Sequence, residues 1–137
     1  MYTSSIIAAA GLLSMVSAHG ILISPPPRSV GAATNASCGT AVTSIILADN
    51  TSHVEGLPEA AANDTHYNAK KCNLFLCKGL QFADNIANVQ KYMPGQVVEM
   101  KAILPIGHAG PANVSIVDTA TNTMIGKPLI DFSDYAE

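Results

Sequence analysis

Gln96-Val97-Val98-Glu99-Met100-Lys101-Ala102-Ile103-Leu104, entered through the turn Met93-Pro94-Gly95, decides the fold class of this chain. Val98, Met100, Ala102 and Leu104 fall on one face and Glu99 and Lys101 on the other, the period-two alternation of a half-buried antiparallel strand. Pro105 and Gly107 are expected to break it. Beyond the loop Pro105-Ile106-Gly107-His108-Ala109-Gly110, a second strand is expected over Ala112-Asn113-Val114-Ser115-Ile116-Val117-Asp118, with Val114 and Ile116 inward and Asn113 and Ser115 outward. Thr119-Ala120-Thr121-Asn122-Thr123 reads as a turn, and Met124-Ile125-Gly126-Lys127-Pro128-Leu129-Ile130 begins another extended piece. The strands flanking His108 are expected to pair or pack together. His108 would then lie in a loop at one end of a sheet, where sites are commonly built.

Upstream, residues 31 to 66 are rich in Ala, Thr, Asn and Gly, with one apolar run at Val42-Thr43-Ser44-Ile45-Ile46-Leu47 and turn chemistry around Asp49-Asn50 and Gly56-Leu57-Pro58. This reads as a long loop region with one short helix or strand, pinned by Cys38. His53 and His66 lie in it and read as solvated. Before it, Gly20-Ile21-Leu22-Ile23-Ser24 is β-prone, and Pro25-Pro26-Pro27-Arg28 must be extended, polyproline-like and at an edge. Such a stiff segment can tether whatever precedes it.

Residues 1 to 18 contain no charged side chain, run through Ile6-Ile7-Ala8-Ala9-Ala10-Gly11-Leu12-Leu13, and end in the small residues Ser17 and Ala18. That pattern predicts a signal peptide cut before His19. Its apolar run, roughly a dozen residues, is short of the ~20 needed to span a bilayer. The mature part, residues 19 to 137, is enough for one domain, secreted and extracellular. Seven basic and ten acidic residues leave a net charge of −3, and no basic run exists to hold nucleic acid or an anionic membrane. With 12% charged residues, the composition suits a secreted β-rich protein better than a charged helical one. Sequons at Asn35, Asn50, Asn63 and Asn113 agree with the secretory route as glycosylation sites.

Cys38, Cys72 and Cys77 are an odd set for an oxidising compartment, leaving a free thiol, an intermolecular bridge or a partner outside this chain. His66, Cys72 and Cys77 could suggest zinc, but Cys-x4-Cys with one distant His lacks a fourth ligand, and disulfides are the better reading. His19 is more informative. As a first residue it offers a metal a free α-amine and an imidazole nitrogen close enough to chelate with it, and an opposing histidine would add a third nitrogen. His108 is the candidate.

His19-Gly20 at a cleavage site, Pro25-Pro26-Pro27-Arg28 and a Gly-His-Ala-Gly loop ahead of a strand together resemble the lytic polysaccharide monooxygenases and their small fungal relatives, the chitin-binding type-4 domains. The segment Cys72-Asn73-Leu74-Phe75-Leu76-Cys77-Lys78-Gly79-Leu80-Gln81-Phe82-Ala83-Asp84-Asn85 and the run Ala112-Asn113-Val114-Ser115-Ile116-Val117-Asp118-Thr119 look like a group of short secreted fungal proteins of this type. The resemblance runs through the mature chain. It implies a mainly β fold, an immunoglobulin- or fibronectin-like antiparallel β-sandwich with long loops. Only three or four strands can be counted where a sandwich has about seven, so the last strands are expected to be missing. The resemblance further implies a copper histidine brace, with His19 supplying its α-amine and Nδ1 and His108 its Nε2, and no catalytic residue beyond these ligands. Three nitrogens suit Cu(II), which leads the affinity order among first-row divalent ions.

The implied activity is oxidative cleavage of a polysaccharide such as chitin or cellulose by a monomer. Two departures bear on it. The family's axial Tyr or Phe comes from a late strand expected to be missing here, and neither Phe132 nor Tyr135 is expected to stand in for it. There is no Trp, and the mature chain has only Tyr67, Tyr92, Tyr135 and three Phe with which to stack sugars. Two other readings stand beside the enzyme: a copper carrier for uptake or storage on the same brace, and a secreted cell-wall protein without metal.

Overall fold

The computed structural model describes residues 19–106, 110–121 and 123–135. Its packed centre is helical. Strand β1 (His19–Ser24) is followed by helix α1 (Ala32–Ala48) and the short α2 (Leu57–Ala62). Two 3-10 segments (Cys77–Gly79 and Phe82–Asn88) then lead to β2 (Lys101–Ile106), β3 (Ala112–Asp118) and β4 (Thr123–Phe132). Four antiparallel strands in two small sheets alongside helices make a mixed α/β architecture. The mainly β expectation is corrected at residues 31–66, where α1 and α2 stand in place of a long loop region with one short helix or strand.

The helices form because their apolar residues recur at helical spacing. Cys38, Val42 and Ile46 follow one another every four positions along α1, and with Leu57 and Ala61 of α2 they close around Cys72 and Leu74 as the buried core. The Cys38–Cys72 disulfide lies within this core and closes a loop of 34 residues. In the chain-entropy picture that closure contributes about 4 kcal/mol.

Helix α1 has no side-chain cap of its own, since Gly31 occupies the N-cap position. Asp84 supplies the cap from afar: its carboxylate accepts from Ala33 N at 2.9 Å, Thr34 N at 2.7 Å and Thr34 Oγ1 at 2.6 Å. The helix is also broken inside, where Gly39 has φ +81°. Asp64 accepts from Ala41 N at 2.9 Å just beyond the break, satisfying a donor the kink leaves free. A Cβ at Gly39 would collide with that carboxylate.

The proline tether is pinned from three sides. Asn88 Nδ2 donates to Pro27 O at 2.8 Å, Arg28 Nη1 donates to Leu80 O at 2.8 Å, and buried Asn85 exchanges hydrogen bonds with the Ser29 backbone. This fixes where β1 leaves the helical body.

Strand β1 pairs antiparallel with β2 in the register His19↔Ile106, Ile21↔Ile103, Leu22↔Ala102 and Ser24↔Lys101. Gly20 alone faces Leu104 and Pro105, so Pro105 sits in a bulge rather than ending the strand. Pairing stops at Lys101 because Ser24 is followed by prolines that have no N–H to offer. Residues 96–100, expected to open the strand, therefore stay unpaired, with Val97 92% exposed.

Strands β3 and β4 form the second sheet, and the expected pairing of the strands flanking His108 does not occur. Strand β3 spans the residues expected of it, but residues 126–129 bulge out of β4 opposite Ser115. Val114 is half-buried while Ile116 is 49% exposed, so the face expected to point inward is covered only at Val114. Among the described residues no helix is long and apolar enough to cross a membrane.

Candidate metal centre

His19 begins β1, and its backbone stands opposite Ile106, the last residue of β2. His108 follows Ile106 by two positions in the sequence and lies outside the described residues. The register thus sets the first residue of β1 at the end of the sheet from which residues 107–109 depart.

The far side of that segment is held by the last described residues of the chain. Gly110 N donates to Asp134 Oδ1 at 3.1 Å, and Tyr135 N donates to Gly110 O at 3.0 Å. Tyr135 also brings its ring to within 3.8 Å of where a Gly110 Cβ would be. A carboxylate and a phenol are gathered beside the residue two positions after His108. Tyr135 was not expected here from sequence, and neither was Asp134. It stands 24 residues from Gly110, and no local pattern signals the contact.

The other histidines are placed as the sequence suggested. His66 is 80% exposed, with Nδ1 3.3 Å from Asp64 Oδ1. Hydrogen bonds from the Ala41 backbone N–H and then from His66 hold the Asp64 carboxyl below the usual carboxylate range. His53 Nδ1 lies 2.8 Å from Glu55 Oε2 at the surface. Cys72 is engaged in the disulfide and Cys77 is an exposed free thiol, so the thiolate pair of the zinc alternative is not available. Among the described residues no group of three or more His, Cys, Asp or Glu is clustered so as to hold a metal ion.

A groove of about 960 Å³ borders the same strand. Gly20, Ile21 and Leu22 of β1 face Ile46 and Leu47 of α1 across it, with Cys77 and Lys78 at the rim. Cys77 and Lys78 both have left-handed backbones, φ +50° and +53°, which cost non-glycine residues roughly 1–2 kcal/mol each. Lys78 Nζ donates to Asn50 O at 3.0 Å, and burial pushes its ammonium pKa down against the opposing pull of Asp49. Phe75, Phe82, Tyr92 and Phe132 are exposed aromatics, and the Arg28 guanidinium stands 5.9 Å from the Phe82 ring centre.

The four sequon asparagines, Asn35, Asn50, Asn63 and Asn113, are all at the surface. No family model and no curated protein matches this chain.

Proposed function

We propose that this chain is a secreted copper protein in which His19, once freed at its N-terminus, and His108 hold the metal, and that it acts oxidatively on a polysaccharide. One observation carries this reading: the β1–β2 register sets the backbone of His19 opposite Ile106. Two residues of chain reach at most about 7 Å, so ligands at positions 19 and 108 start from neighbouring points of the backbone. The donor set fits copper, since amine and imidazole nitrogens suit Cu(II) better than any other divalent first-row ion.

The amine must give up its proton to bind, so affinity is expected to fall as pH drops below the ordinary amine range of ~7.7–8. Before cleavage after Ala18 the same nitrogen is an amide and not a chelating amine. When bound, copper supplies one-electron redox chemistry toward a sugar C–H bond. The chain's part is positional. The pinned tether from Pro25 to Ser29 and the β1 pairing orient His19, and the exposed rings of Phe75, Phe82, Tyr92 and Phe132 are the surfaces on which sugars could stack. The immunoglobulin-like sandwich is proposed with this function, supported by antiparallel pairing in both sheets and by the exposed apolar residues on all three later strands.

A second reading, copper uptake or storage, draws on the Asp134 carboxylate bound to Gly110 N, two positions after His108 in the sequence, since a carboxylate ligand suits a site that holds its metal.

The test is direct. The mature chain beginning at His19 is loaded with Cu(II), and its electron paramagnetic resonance is compared with that of His108→Ala. The spectrum is expected to change, and identical spectra would remove His108 from the site. Oxidised sugar ends released from chitin or cellulose with a reductant support the enzyme. Their absence across several polysaccharides, with copper bound, supports the carrier.

A further inference from the structure

Two of the three side chains in Asn50-Thr51-Ser52 make no hydrogen bond among the described residues. Asn50 stands exposed in the turn after α1, and its amide makes no hydrogen bond among the described residues; only its backbone carbonyl is engaged, by Lys78. Ser52 is the reverse case: its Oγ is buried, and among the described residues it is the buried side-chain polar atom without a partner. A hydroxyl that loses water and gains no partner destabilises the fold, and alanine would serve the folded state better. Thr51 between them does the structural work, its N and Oγ1 both donating to Asp49 Oδ1, at 2.9 and 2.6 Å.

The other sequons differ. Asn35 lies within α1, where its Oδ1 accepts from Thr43 Oγ1 at 3.0 Å and Ser37 is buried. Asn63 closes α2, its Nδ2 donating to Glu59 O at 2.9 Å. Asn113 lies in β3 and accepts from Ser115 Oγ at 2.8 Å. In each of these, amide or hydroxyl serves the fold. At Asn50 neither does.

We propose that Asn50 is an N-glycosylation site and that Ser52 is kept for this modification rather than for the folded state. The inference rests on the secretory reading and is independent of copper. The amide Nδ2 of Asn50 displaces the phosphate from the anomeric carbon of a lipid-pyrophosphate-linked oligosaccharide. The N–C bond forms, the C–O bond to phosphate breaks with its electron pair going to the departing lipid pyrophosphate, and the amide loses one proton. Asn50 lines the groove beside β1, so the glycan stands at the rim that Cys77 and Lys78 share.

The full chain is secreted from a eukaryotic host and treated with a glycan-releasing amidase in heavy-oxygen water, which marks each formerly glycosylated asparagine as a heavy aspartate. The Asn50 peptide is expected to carry the mark. The glycan is expected to be lost in Asn50→Gln and Ser52→Ala and kept in Ser52→Thr. In the Asn50→Gln background, adding Ser52→Ala is expected to leave the denaturation midpoint unchanged or higher. An unmarked Asn50 in a secreted chain that begins at His19 overturns the proposal alone, and so does a lowered midpoint. A chain kept in the cell with residues 1–18 attached overturns both the proposal and the secretory reading beneath it.

Discussion

Cys77 is the thiol left over when Cys38 and Cys72 pair, and it sits exposed on a left-handed turn. One maleimide is therefore expected to add to the native protein, at Cys77, and two more only after reduction and unfolding; intact mass and peptide mapping check this. Asp84 is the residue on which α1 most depends. Partial burial disfavours its charged form, but the Thr34 hydroxyl and the backbone N–H groups of Ala33 and Thr34 outweigh that and hold its carboxyl below the usual range. A depressed folded-state pKa means stability that is present above the unfolded value of ~3.9 and is lost as pH falls through the folded one. Asp84→Ala is expected to cost about 1–2 kcal/mol at neutral pH, read from urea unfolding, and to flatten the fall in stability on acidification below pH ~4. Neither contact was legible locally. The free cysteine could be counted but not identified among three, and the partners of Asp84 stand some 50 residues away.

At the scale of elements, α1 shows why a helix of 17 residues was expected only as one short helix or strand. Its apolar face was present in Cys38, Val42 and Ile46, but a Gly at the N-cap and another at position 39 are the marks of a loop. Asp84 and Asp64 make up for both glycines through tertiary contact, overriding local propensity. Gly39→Ala tests this dependence. It forces a side chain into a left-handed backbone and against Asp64, and is expected to destabilise the protein by about 2 kcal/mol or more in urea or thermal unfolding. The strands were more legible: β3 was delimited from its flanking turns, whereas β2 was expected five residues too early and runs on through Pro105. Their partners were not, because pairing of β2 with β1 is decided by where the prolines end β1, a contact some 80 residues apart in the chain.

For the whole molecule, the buried apolar residues among those described all fall between Cys38 and Leu74, while β2, β3 and β4 keep Ile103, Ile116, Ile125 and Leu129 exposed. Stability should accordingly be uneven. In native-state hydrogen exchange the amides of Val42–Ile46 are expected to be the slowest and those of β3 and β4 to open at lower free energy; uniform protection across both regions would contradict this. Of the candidate site, His19 and His108 could be chosen from sequence because a histidine just after an expected cleavage site is a chemical feature, whereas the approach of Asp134 and Tyr135 to Gly110 depends on how β4 returns. The remote cap on α1 has a consequence in time as well. A ribosome adds about 5–20 residues each second, so roughly 3–10 s separate the synthesis of Thr34 from that of Asp84. Through that interval the first turn of α1 has no carboxylate to close it, and residues 32–48 wait as an unfinished helix for a part of the chain still to be made.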